Sequence, residues 1–173
     1  DLDPSLFGEG LALVGEHLVQ LTWQAHRGFV YDRESFKVVR EFTYDTEGWG
    51  LAYDGESLIL SDGTSTLTYL DPQTYQPLRK LRVTMNGRPV SELNELEFIE
   101  GELWANVWQT DLILMIDPAT GQVKSFLNLS EIRPASERKG TEDVLNGIAY
   151  DSDRRRIFVS GKLWPRLFEI RIK

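Results

Sequence analysis

The chain has 173 residues, with 19 Lys or Arg against 27 Asp or Glu and a formal net charge of −8. That length suits one domain, and its one basic cluster, Arg154-Arg155-Arg156, is too little for neutralising nucleic-acid phosphates. Cysteine is absent, which excludes disulfides, thiolate nucleophiles and thiolate zinc sites.

The two histidines, His17 and His26, form no metal-binding pair and read as loop residues. No metal and no other cofactor is expected. No apolar run approaches the roughly 20 residues of a membrane helix, so no membrane partner is expected either. The N-terminus, Asp1-Leu2-Asp3-Pro4, lacks the basic and apolar regions of a signal peptide.

Similar elements recur along the chain. Unit one opens at Gly10-Leu11-Ala12-Leu13, and strands are predicted over 18–23, 29–32 and 37–44. Unit two opens at Gly50-Leu51-Ala52-Tyr53, with strands predicted over 58–63, 67–71 and 77–84. Unit three opens at Glu95-Leu96-Glu97-Phe98, with strands over 103–108, 113–117 and 122–129. Residues 130–144 form a polar segment and the one place for a helical turn. It is longer than a usual connection, as functional loops often are. Unit four opens at Gly147-Ile148-Ala149-Tyr150, with strands over 157–162 and 167–170 only. In the first three units the third strand ends in Asp, at Asp32, Asp71 and Asp117. Asp favours the turn that follows because its carboxylate accepts from the backbone ahead.

The openings are spaced by 40, 45 and 52 residues. Four short strands per unit at this period are the signature of β-propeller blades. The expected fold is all-β, with about four four-stranded blades, the last lacking its outer strand.

Propeller geometry places functional residues. Antiparallel neighbours reverse direction, so the start of each first strand and the end of each second lie at one end of the blade. The starts are Glu9, Trp49, Asn94 and Asn146; the ends are Trp23, Gly63, Trp108 and Lys162. These eight positions should ring one face around the axis.

One carboxylate, two carboxamides, one ammonium and three indoles make a small polar constellation with aromatic walls, as a small-molecule pocket requires. Singly, each has a plainer reading. A Trp suits blade packing, Glu9 a turn between Gly8 and Gly10, Lys162 a surface charge, and Asn94 and Asn146 local turns. Trp104 and Trp164 lie off the ring and read as packing. Together, the ring residues make Glu9 a candidate proton shuttle, Asn94 and Lys162 candidate donors to an oxyanion, and Asn146 a substrate-binding candidate. With no Ser-His pair, the set suits a substrate that brings its own nucleophile.

Eight ordered motifs carry a family resemblance: Phe7-Gly8-Glu9-Gly10, Leu21-Thr22-Trp23-Gln24, Glu47-Gly48-Trp49-Gly50-Leu51, Leu60-Ser61-Asp62-Gly63-Thr64, Leu93-Asn94-Glu95-Leu96-Glu97, Trp104-Ala105-Asn106-Val107-Trp108, Leu145-Asn146-Gly147-Ile148-Ala149-Tyr150 and Gly161-Lys162-Leu163-Trp164-Pro165. From Phe7 to its end the chain resembles the plant and bacterial type of glutaminyl cyclase (glutaminyl-peptide cyclotransferase), a five-bladed, metal-independent propeller family.

The resemblance implies cyclisation of the N-terminal glutamine of peptides or proteins to 5-oxoproline (pyroglutamate), with release of ammonia. It implies that Glu9 is the catalytic glutamate, that Asn94 and Lys162 hold the substrate and its oxyanion, and that Phe7, Trp23, Trp49 and Trp108 line the pocket. A secreted or periplasmic location is implied by resemblance alone.

The family's Phe-Thr-Gln-Gly-Leu-like opening segment and first blade are missing here. The expectation is therefore a single propeller domain over 1–173, incomplete at its N-terminus, with a separate N-terminal segment as a candidate partner. Two other functions stand beside the cyclase: a non-catalytic propeller binding peptides or small amines on the same face, and a sugar-lactone type hydrolase. The hydrolase would need several metal-ligating carboxylates near the axis; only Glu9, Asn94 and Asn146 are placed there.

Overall fold

The computed structural model describes residues 2–134, 137, 140 and 144–172. Its strands form four antiparallel sheets arranged as propeller blades, each in sequence order from the axis outward. Blade one holds β1 (Gly8–Val14), β2 (His17–Thr22), β3 (Arg27–Asp32) and β4 (Val38–Thr43). Blade two holds β5 (Gly50–Tyr53), β6 (Leu58–Ser61), β7 (Thr66–Leu70) and β8 (Pro77–Arg82). A two-stranded hairpin follows, β9 (Thr84–Met85) and β10 (Arg88–Pro89). Blade three holds β11 (Leu93–Ile99), β12 (Glu102–Val107), β13 (Leu112–Ile116) and β14 (Val123–Asn128). Blade four has three described strands, β15 (Leu145–Asp151), β16 (Arg156–Gly161) and β17 (Phe168–Ile170).

The β9–β10 hairpin is not among the predicted elements. Its turn, Asn86-Gly87, has φ of 52° and 75°, the pair of positive values that a tight hairpin turn demands and Asn-Gly supplies. The signal was present but too short to register as a blade strand. No helix of the α type occurs among the described residues. Within the segment 130–144, residues 135, 136, 138, 139 and 141–143 lie outside the described residues.

Three apolar clusters fill the three blade junctions. Strand alternation divides side chains between them. Leu58 and Leu60 face blade one, while Ile59 between them faces blade three. In blade three, Leu103 and Ala105 face blade two and Trp104 faces blade four. This explains why the middle strands read as continuous apolar runs: both faces are covered. Each fully buried Leu or Ile contributes about 1.5–3 kcal/mol.

The outer strands β4, β8 and β14 are mostly exposed. Charged side chains such as Arg40, Glu41 and Lys124, and Pro77 at the first position of β8, blunt those edges against further pairing. The Asp repeat closes the turns before them. Asp71 Oδ1 accepts from Gln73 N and Thr74 N at 3.0 and 2.6 Å, and Asp117 Oδ1 accepts from Ala119 N and Thr120 N at 2.9 and 3.0 Å.

The recurring glycine has a different cause. Inner strands converge at one end of the barrel-like axis, and Gly10 N donates to Trp49 O across the junction at 3.0 Å. A Cβ on Gly10 would lie 2.6 Å from Gly50 C, and one on Gly50 would lie 2.0 Å from Asn94 O. Both obstacles are backbone, which cannot swing aside. Gly50→Ala is expected to lower stability by about 1–3 kcal/mol, read by chemical denaturation. An unchanged midpoint would show that the strands separate freely.

Candidate active site

The sequence-placed residues meet at the end of the axis where the glycines crowd. Three of the four inner strands carry a register shift there. Gly8 pairs with Thr22 but Leu11 with Gln20; Leu93 pairs with Val107 but Leu96 with Ala105; Leu145 pairs with Gly161 but Ile148 with Val159. Each shift inserts one extra residue on the inner strand, at Glu9–Gly10, Asn94–Glu95 and Asn146–Gly147. Such bulges re-aim side chains next to functional sites. The residues ending the second strands are pinned alike. Trp23 N donates to Phe7 O, Trp108 N to Glu92 O and Lys162 N to Val144 O, at 2.9, 2.8 and 3.0 Å.

Phe7, Glu9, Trp23, Trp49, Asn94, Trp108 and Lys162 together line one cavity of about 330 Å³. Lys162 Nζ stands 3.0 Å from Glu9 Oε1 and 5.5 Å from the centre of the Phe7 ring. Phe7 meets Trp23 edge-on at 6.3 Å, and Trp49 meets Trp108 edge-on at 5.5 Å. Phe7 and Trp23 are exposed at 59% and 40%, so this aromatic pair forms the rim. Asn94 is buried, and its Oδ1 has no hydrogen-bond partner. Buried acceptors are rarely left so. Burial raises the Glu9 carboxyl above the usual glutamate range, and the Lys162 hydrogen bond and charge partly offset it.

Asn146 is placed differently. It borders a larger cleft of about 750 Å³, between β1 and β15, that Glu9, Trp49 and Lys162 also border. Its Oδ1 accepts from Glu95 N at 3.3 Å, so it ties β15 to β11 beside the pocket.

Sequence reasoning missed a supporting layer. Ser61 Oγ accepts from Gly50 N at 2.8 Å and donates to Asn94 O at 2.5 Å, fixing the backbone of Asn94. Asn106 Oδ1 accepts from Gly147 N at 3.0 Å. Glu47 accepts from two pocket indoles. In unit three, Glu95 and Glu97 replace the Gly and Ala of the other openings, and that departure was the readable signal. Their carboxyls accept from Ile148 N and Tyr150 N, each at 2.9 Å, joining β11 to β15 where backbones do not meet directly.

Both carboxyls border the larger cleft and are half-buried. Burial raises Glu95 well above the usual range, with Glu97 adding repulsion, and burial raises Glu97 to about 7. A raised carboxyl binds its proton more tightly in the folded chain. Its stabilisation is full below the unfolded value near 4.5 and is lost as pH rises to about 7. Glu97→Gln keeps the acceptor for Tyr150 N and removes the charge. Allowing for solvent on the cleft side, it is expected to raise stability at pH 8 by about 1–3 kcal/mol. The gain should vanish near pH 4 in parallel denaturation curves; a gain equal at both pH values would refute the buried charge.

Fold and site define a β-propeller with a carboxylate–ammonium ion pair set in an aromatic pocket at one end of its axis. A profile of the family described as glutamine cyclotransferase matches residues 1–172, and the chain belongs to that family. It is 49% identical over 175 residues to a glutaminyl-peptide cyclotransferase of Arabidopsis thaliana, covering 99% of this chain and 55% of that protein. The chain thus spans about half the length of that curated relative. It superposes on the crystal structure of Myxococcus xanthus glutaminyl cyclase with a TM-score of 0.92 at 41% identity, covering 96% of this chain and 72% of the other. The Swd1 β-propeller domain of Myceliophteria thermophila, at 11% identity and a TM-score of 0.58, shares the fold alone.

Proposed function

We propose that this chain carries the active site of a metal-independent glutaminyl-peptide cyclotransferase acting on N-terminal glutamine. The observation that carries the reading is the single cavity enclosing Glu9, Lys162, Asn94 and four aromatic side chains. The substrate's α-amine attacks its own γ-carboxamide carbon. A C–N bond forms, the carbonyl oxygen gains negative charge, and the original C–N bond then breaks to release ammonia. Glu9 takes the proton lost by the attacking amine and delivers it to the leaving nitrogen, so the reaction balances without a co-reactant.

Lys162, beside Glu9, donates to the oxyanion. Asn94, which lines the same cavity, donates from its side-chain amide to the substrate carbonyl oxygen and orients it. The indoles and Phe7 exclude water and hold the side chain folded on its amine. Such orientation is worth up to about 7–11 kcal/mol in well-aligned intramolecular reactions.

A further segment seated between β1 and β15 would cover Leu11 and Leu13, which are half exposed on the inner strand, and would narrow the larger cleft. It is the partner this reading implies.

Ammonia release tests the reading. A peptide beginning with glutamine should release ammonia in the presence of the protein, and the same peptide with an acetylated N-terminus should not. Equal release from both would mean simple amidase chemistry; binding without release from either would mean a peptide-binding propeller.

A further inference from the structure

Glu47 lies on the connection from β4 to β5, outside the ring that repeat arithmetic assigns. Its Oε2 accepts from Trp23 Nε1 at 2.8 Å and from Trp49 Nε1 at 2.9 Å, while its Oε1 accepts from Gln24 Nε2 at 3.1 Å. Trp23 follows the second strand of blade one, and Trp49 precedes the first strand of blade two. One carboxylate oxygen therefore fixes two pocket walls that belong to different blades. The backbone repeats the link, since Gly48 N donates to Trp23 O at 2.9 Å.

An indole ring has two side-chain torsions and one N–H donor. Holding that donor sets which edge the ring presents to the cavity. Trp23 is 40% exposed, so packing alone leaves it free to turn. Trp49 in turn supports Trp108 edge-on, and the clamp thereby reaches a third wall. The hydrogen bonds from Trp49, then Gln24, also hold the Glu47 carboxyl below the usual glutamate range, which keeps it an acceptor across neutral pH.

We propose that Glu47 is a positioning residue that locks Trp23 and Trp49 in the orientation that receives the substrate's glutaminyl side chain. The proposal rests on the cyclotransferase reading for its substrate but not for its geometry. It acts through the two indoles, because Glu47 does not itself border the cavity.

The test compares Glu47→Leu and Glu47→Gln with the unaltered chain. Gln can place its one carbonyl oxygen between both indoles, with its amide donating to a flipped Gln24. The five tryptophans give five indole N–H signals by NMR, assigned through Trp23→Phe and Trp49→Phe. In Glu47→Leu the Trp23 and Trp49 signals should move together and exchange faster, the other three changing less. Loss of a charge-assisted clamp should raise KM for a Gln-initiated peptide about tenfold or more, and kcat should fall with it, because the same indoles hold the side chain folded on its amine. Glu47→Gln should restore both signals and KM.

Unmoved indole signals in Glu47→Leu would overturn the clamp. Moved signals with unchanged KM would overturn its role in binding. A wild-type chain that turns over no peptide would sink the cyclotransferase reading alone. Peptide affinity by tryptophan fluorescence would then replace KM and decide the clamp in the same way.

Discussion

Glu9→Gln is expected to lower kcat for cyclisation by about 10²–10⁴-fold, the usual worth of a positioned general base, with KM changed far less. The carboxamide keeps the shape of Glu9 and a contact to Lys162, so the pocket should persist. What disappears is the acceptor for the amine proton. The pH dependence supplies a second signature. Glu9 works as a base only when ionised, and burial raises its carboxyl above the ordinary range despite Lys162. Activity in the wild type should therefore fall as pH drops through that raised value, on a limb above the ordinary glutamate titration. Initial rates of ammonia release across pH check both points. A Glu9→Gln variant with an unchanged rate would remove proton transfer from the account.

Lys162→Met should be nearly as damaging, for two reasons that act together. Removing one preorganised donor to a developing oxyanion typically costs about 2.7–4 kcal/mol, or 10²–10³ in kcat. The methionine retains packing against Phe7, whose ring centre lies 5.5 Å from Nζ in the wild type, so loss of fold is not the expected cause. The variant also strips Glu9 of the ion pair at 3.0 Å. Burial then acts on Glu9 unopposed, its carboxyl rises further, and the acid limb of the rate profile shifts to higher pH. A reduced kcat without that shift would mean that Lys162 serves the oxyanion but does not tune Glu9. A shift without a reduced plateau would mean the reverse.

Much of this is legible in the sequence. The Gly-apolar-Ala openings, the Asp-terminated third strands and the turn residues repeat at blade spacing, and the four blades follow from them. The ring also followed, because antiparallel strands must bring Glu9, Trp49 and Asn94 to the same end as Trp23, Trp108 and Lys162. Phe7 came from family resemblance, since its position carries no repeat signal.

What stayed hidden has physical causes. A bulge adds one residue to a strand, and nothing in Glu9-Gly10, Asn94-Glu95 or Asn146-Gly147 distinguishes it from a regular pair. Glu47 is a loop carboxylate by sequence, and only folding brings two indoles from different blades to its one oxygen. Glu95 and Glu97 could have been found, because charge at the Gly and Ala positions of an inner strand is an anomaly. Asn146 shows the limit of arithmetic on a ring. It reaches the right end of the axis, yet its Oδ1 is taken by Glu95 N at 3.3 Å.

The most direct measurement is the mass of a Gln-initiated peptide after incubation with the wild-type chain and, in parallel, with Glu9→Gln. The account expects the wild type to convert the peptide to a product lighter by one ammonia molecule, and the variant to leave it almost unchanged. A folded wild-type chain that binds the peptide without changing its mass, or a variant that converts it as fast as the wild type, would contradict the account.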